Sequence, residues 1–251
     1  MKSGWTSNKV YWLLVFVLAL LSAVSVFLPT GSGLEGMPDV EMPGSTPLMA
    51  LVIAGLMLVG YGGLGWFGLF LWRKLGYPDI MDATVNQQQR FVLPGLLGAF
   101  CGFGLIVIDL VFSRWSPVGR LPHPAFPFSL VASATAGIGE EIVFRLFFIS
   151  LWVWLVSRVL LRGKWQGAVF VAVAVFSAVT FAIGHLPSLM FLYGWQNLFD
   201  VPVILLVQLL LANGVIAIVA AFNMRKYGFL AAVGIHFWAD IVWHVLYGLI
   251  A

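Results

Sequence analysis

The 251 residues are 61% hydrophobic and only 9% charged, against roughly 45–50% and about 25% in soluble domains. One water-soluble core cannot hide that much apolar surface, so lipid must solvate the remainder, and a soluble enzyme is excluded. The net charge of +3 does not point to nucleic acid, because the basic residues lie between apolar runs and form no patch.

A transmembrane helix needs about 20 apolar residues. In chain order the stretches that meet this are Val10–Leu28, Pro47–Trp72, Phe91–Phe112, Phe128–Val156, Ala168–Tyr193, Val201–Met224 and Phe229–Ala251. The expected fold is therefore all-α, a polytopic bundle of about seven helices. The first stretch follows Lys2 and Lys9 and exceeds the 7–15 residues of a cleavable signal core, so it reads as a retained helix. Between the first two spans, Pro29–Thr46 is rich in Gly, Pro and Ser and is expected to be the most mobile segment. Gly98 and Gly102, like Ala50 and Ala54, are small-xxx-small pairs that let helices approach closely. The fourth stretch is too long for one straight span, and Gly137 and Gly139 predict a break or bend ahead of Glu140.

Basic residues set the topology. With the N-terminus inside, the inner segments carry Lys2, Lys9, Arg73, Lys74, Arg90, Arg158, Arg162, Lys164, Arg225 and Lys226, whereas the outer loops carry only Arg114 and Arg120. That bias predicts an N-terminus inside and a C-terminus outside. Cys101 is the only cysteine, which rules out an intramolecular disulfide. Its small, apolar neighbours predict an inert packed thiol.

An ionisable side chain inside a span costs roughly 2.5–3.5 kcal/mol on insertion scales, so each one needs a reason. Three groups stand out on three helices: Glu140, Glu141 and Arg145 in GEEIVFR; His185 in FAIGHLP; and His236 and Asp240 in HFWAD. Glu141 and Arg145 are i,i+4 neighbours and can neutralise each other. Glu140, about 100° round the helix, is left less compensated, and a desolvated carboxylate suits general-base chemistry. His236 and Asp240 share a face, so the carboxylate can fix the imidazole tautomer or share a ligand. His185 precedes Leu186-Pro187, where proline opens the helix and frees backbone groups toward a cavity. Burial alone does not choose a function, because structural ion pairs and proton-coupled transporters also place such groups in mid-membrane. The remaining polar residues read as minor: His244 as an interface residue that could join the site, His123 as a loop residue, Asp109 as snorkelling to water, and Gln208 and Asn213 as bonding between helices.

The three groups, in this order, resemble the CPBP family of intramembrane proteases, which contains the type II CAAX prenyl endopeptidases and bacterial bacteriocin-processing and self-immunity proteins. The family pattern of EExxxR, FxxxH and HxxxN or HxxxD is met by Glu140-Glu141 with Arg145, by Phe181 with His185, and by His236 with Asp240. The resemblance spans about Phe128 to Tyr247. It implies a catalytic core in residues 128–251, preceded in 1–127 by transmembrane helices without motifs. It also implies an intramembrane endopeptidase of the cell (plasma or inner) membrane that acts on a peptide or protein substrate in contact with lipid, and not on nucleic acid. By that analogy Glu140 is the base, His185 helps to hold the water, and His236 with Asp240 stabilises the oxyanion or binds a metal. Many relatives have Asn where this chain has Asp240, and an ionised carboxylate cannot donate to an oxyanion. Asp240 must then be protonated, orient His236 or ligate a cation. His185, His236 and Asp240 are a reasonable zinc set, but HExxH is absent and a metal-free glutamate mechanism stays open. Two other readings also stay open: a non-catalytic immunity or scaffold relative, and a proton-coupled transporter without visible inverted repeats.

Overall fold

The structure, a computed structural model, describes residues 2–28 and 45–250, with side chains from Trp5 onward. The expected mobile loop at Pro29–Thr46 falls largely on residues 29–44, outside the described residues. Seven helices are long and apolar enough to cross a membrane, and the described residues contain no strand. We label these spans α1 (Trp5–Ser25), α2 (Thr46–Lys74), α3 (Gln88–Phe112), α4 (Phe128–Leu160), α5 (Gln166–Leu192), α6 (Val203–Tyr227) and α7 (Phe229–Tyr247). They coincide with the seven apolar stretches read from the sequence, and the protein is a multi-pass α-helical membrane protein.

The packing puts the motif helices at the centre. Helix α4 packs against α1, α2, α5 and α7, while α7 packs against α3, α4 and α6. Small residues make this possible. A Cβ on Gly98 would run into the backbone carbonyl of Ile235, and one on Gly102 would lie 2.7 Å from the Ala239 carbonyl oxygen, so the glycine pair on α3 seats α7. On the other side of α4, Tyr11 of α1 donates to the Gly62 carbonyl at 2.6 Å, and Gly68 of α2 lies against the Leu146 backbone. Gly228, at φ 85°, turns the chain directly from α6 into α7, a left-handed conformation suited to glycine.

Three helices that carry motif residues depart from regular α-helical geometry. Helix α5 is interrupted at His185, between Gln166–Gly184 and Leu186–Leu192, where Pro187 lacks the N–H needed to continue the ladder. Helix α4, in contrast, does not break at Gly137 and Gly139. It runs through them and widens into a π-helix over Glu141–Ile149. The glycines serve packing instead: a Cβ on Gly137 would lie 3.1 Å from that of Phe237 on α7. Helix α7 changes in the same way, becoming π-helical over Ile241–Tyr247 immediately after Asp240. Both π segments thus begin one residue after a motif carboxylate, at Glu140 and Asp240, and π turns of this kind recur at functional sites.

Candidate active site

Adjacent glutamates on α4 end in opposite environments. The Glu141 side chain is 0% exposed, whereas that of Glu140 is 36% exposed. Glu141 points into the contact between α4 and α7 and is shared by two cationic or donor groups. Its Oε2 lies 3.3 Å from Arg145 Nε, and its Oε1 lies 2.8 Å from His236 Nδ1. A carboxylate can only accept here, so Nδ1 carries the proton and Glu141 fixes the His236 tautomer.

This revises the roles expected of Asp240 and Glu141. Asp240 was a candidate for fixing the imidazole, being one helical turn from His236. It instead faces the other ring nitrogen, with Oδ2 at 3.6 Å from Nε2. Glu140 Oε2 stands at the same 3.6 Å from Nε2. Both separations exceed a direct hydrogen bond and lie within ion-pair distance. His236 is thus gripped on one side and faces two carboxylates on the other.

Arg145 is fully buried and has no aligned hydrogen-bond acceptor among the described residues, although it lies within ion-pair distance of Glu141. Its guanidinium sits 4.3 Å from the centroid of the Phe181 ring, a cation–π contact that compensates part of the lost hydration. Phe181 is the hub of the site. Its ring meets those of His185 and His236 edge-on, at 4.9 and 5.7 Å between centroids, and its carbonyl lies 2.9 Å from His185 Nδ1. A carbonyl only accepts, so Nδ1 is the protonated nitrogen of His185 and Nε2 is left as an acceptor. The interruption of α5 at this residue places the ring where a continuous helix would not.

Glu140, His185, His236 and Asp240 line one cavity of about 560 Å³, whose walls are largely apolar side chains such as Leu105, Phe128 and Ile216. Glu141 and Arg145 do not line it. Glu140 also lines a smaller cleft of about 230 Å³, formed with Leu18 of α1 and Met57 and Tyr61 of α2. The structure therefore brings Glu140, His185, His236 and Asp240 to a shared space and places Glu141 and Arg145 behind it.

Other residues differ from their expected places. Asp109 does not snorkel to water. It is buried, accepting from the Leu121 N–H and Gln208 Nε2 at 3.1 Å each and from Tyr247 Oη at 3.4 Å. These bonds tie α3 to the following loop, α6 and α7, and satisfy a carboxylate that the bilayer would otherwise penalise. Gln208 bonds between helices as expected, but Asn213 bonds to the Leu209 carbonyl within its own helix. His123 is no ordinary loop residue, because its ring packs on Trp243, His244 and Tyr247 and lines the large cavity together with His244. The only sequence signal for that placement was proline on both sides of His123.

The donor set fits a metal poorly. Among the described residues, no three His, Cys, Asp or Glu side chains are grouped so that they could hold a metal ion. His185, His236 and Asp240, the candidate zinc set, share the cavity without being grouped closely enough to hold an ion.

The fold and site define an α-helical membrane protein with a buried carboxylate–histidine cluster opening onto an internal cavity. Residues 122–242 match the family described as type II CAAX prenyl endopeptidase Rce1-like, and over that segment the chain is similar to this family. The matched segment holds all three motifs and agrees with the CPBP resemblance carried by them. No curated protein and no solved structure matches the chain closely enough to add a named relative or fold neighbour.

Proposed function

We propose that the protein is an intramembrane endopeptidase that hydrolyses a peptide bond with a water activated by Glu140, in the plasma or inner membrane of the cell. The observation that carries this reading is the division of labour between the two glutamates. Glu141 is spent on Arg145 and His236, while Glu140 Oε2 beside the cavity makes no hydrogen bond among the described residues and has only His236 Nε2 at 3.6 Å. The family match to an endopeptidase supports the same chemistry.

In this mechanism a water sits between Glu140 and His185 Nε2, each accepting one of its protons. Its oxygen attacks the scissile carbonyl carbon as Glu140 takes one proton. The carbonyl π electrons move to oxygen, and the resulting oxyanion is stabilised beside His236 and Asp240, one of which must carry a proton to donate. The C–N bond then breaks, and the nitrogen takes the proton from Glu140 and leaves as an amine. The products are a new carboxyl terminus and a new amino terminus. Positioning and water exclusion do much of the work, because the apolar cavity strengthens each electrostatic contact.

The test is cleavage of apolar peptides by the purified protein in H₂¹⁸O, followed by mass spectrometry. Single ¹⁸O incorporation at the new carboxyl terminus is expected, and a first turnover without label would point to another nucleophile.

A further inference from the structure

The large cavity is also lined by polar groups that the proposed chemistry does not use. Among them His123, from the loop between α3 and α4, meets His244 of α7 with ring centroids 5.7 Å apart. The His123 ring is wedged edge-on against Trp243 at 4.5 Å and Tyr247 at 5.2 Å, so its place is fixed. Gln208 of α6 lines the same cavity, with its amide nitrogen bonded to Asp109.

These groups are buried yet incompletely bonded. Among the described residues, both nitrogens of His123, Nδ1 of His244 and Oε1 of Gln208 have no hydrogen-bond partner. Four such atoms along one cavity are unusual, because buried polar groups are nearly always paired. Burial holds the His123 imidazole below its ordinary range against the opposing pull of the Asp109 carboxylate. His123 therefore presents one donor and one acceptor, and Gln208 Oε1 adds a further acceptor.

A mixed set of donors and acceptors has one natural counterpart in an apolar cavity. An apolar polypeptide brings one N–H and one C=O with every residue, and within the bilayer each needs a partner. A carboxylate is disfavoured by the neighbouring charge of Asp109, and a metal by the absence of a third grouped ligand among the described residues. We propose that His123, His244 and Gln208 form a main-chain docking subsite, which pairs with the peptide backbone of an extended apolar substrate whose scissile bond lies at Glu140. This deepens the endopeptidase reading and rests on it. Apolar walls accept the side chains, and specificity for an extended backbone comes from these three polar side chains.

The test measures binding to full-length Glu140→Gln protein in detergent, so that cleavage does not interfere. The probes are a fluorescein-labelled octapeptide of alternating Leu and Ala and a counterpart with esters in place of its central amides. The ester peptide, which lacks N–H donors and has weaker acceptors, should bind about tenfold more weakly. His123→Phe and His244→Phe should each weaken amide-peptide binding by a similar factor and leave ester binding nearly unchanged, whereas His244→Gln should restore most of the loss. Equal affinity for the two peptides, which needs no variant and no refolding assumption, would overturn the proposal. So would amide binding unaffected by both Phe substitutions, or no binding to any form. Loss of the endopeptidase reading would show separately, as a wild-type protein that binds the amide peptide and never cuts it.

Discussion

Helices α2 and α7 are similarly apolar but live in different solvents. In its most apolar stretch, 17% of α2 is buried within the protein, against 56% of α7. Helix α2 faces lipid with Leu51, Leu56 and Val59, and its buried positions include glycines at 62, 65 and 68, which admit α1 and α4. Helix α7 turns His236, Asp240 and Trp243 inward, and its neighbours are protein on three sides. Hydropathy detects both and cannot tell them apart, since lipid tails and a protein interior are equally apolar. What distinguishes them is the ionisable residue, which the bilayer tolerates only where protein or a cavity surrounds it.

That contrast predicts a gradient of mutational cost. The largest loss should come from Arg145→Ala, which leaves Glu141 buried with only His236 to compensate it. About 3–5 kcal/mol of stability should go, read as loss of folded protein after detergent extraction. Next is Gly98→Ala, because a methyl group at this position collides with the Ile235 backbone, which cannot swing aside as a side chain could. A cost of about 1–3 kcal/mol is expected in thermal unfolding. Asp240→Asn tests chemistry more than folding. Without a metal the amide supplies a donor beside His236, and the rate should stay within about tenfold of wild type, roughly 1.4 kcal/mol. Chelators should have no effect, whereas stoichiometric metal lost together with activity on substitution would show a cation ligated by Asp240. The smallest effect belongs to Cys101→Ala on α3. Cys101 is partly buried against the hydrophobic core and is replaced by a side chain of similar size, so stability should change by less than about 1 kcal/mol and turnover should persist.

The sequence made much of this legible where a single physical rule dominates. Seven apolar stretches, the glycine spacing at 98 and 102, and the proline after His185 each led to the element they foretold. So did the isolation of three ionisable groups in apolar sequence, because their cost demands company. Properties that depend on relative rotation of helices were hidden. The i,i+4 spacing to Arg145 marked Glu141 as the paired glutamate, but nothing in the sequence said that Glu141, and not Asp240, would take His236 Nδ1. The π-helical stretches after Glu140 and Asp240 have no composition signal, and Gly137 and Gly139 suggested a break where they permit close packing. His123 was obscured by its position in a Pro-flanked loop, whose path over α7 is set by tertiary contacts.

The central claim is that Glu140 performs chemistry while Glu141, its neighbour, holds the site together. It is tested most directly by Glu140→Gln, assayed on one preparation for its thermal midpoint and its rate of peptide cleavage. The substitution is nearly isosteric, and the side chain it alters makes no direct hydrogen bond among the described residues that the amide would break. The account predicts a midpoint within about 2 °C of wild type, a shift too small to signal even about 1 kcal/mol, and cleavage reduced at least about 10³-fold, about 4 kcal/mol in the barrier. A variant that unfolds as Arg145→Ala does, or one that stays folded and still cuts at the wild-type rate, would contradict it.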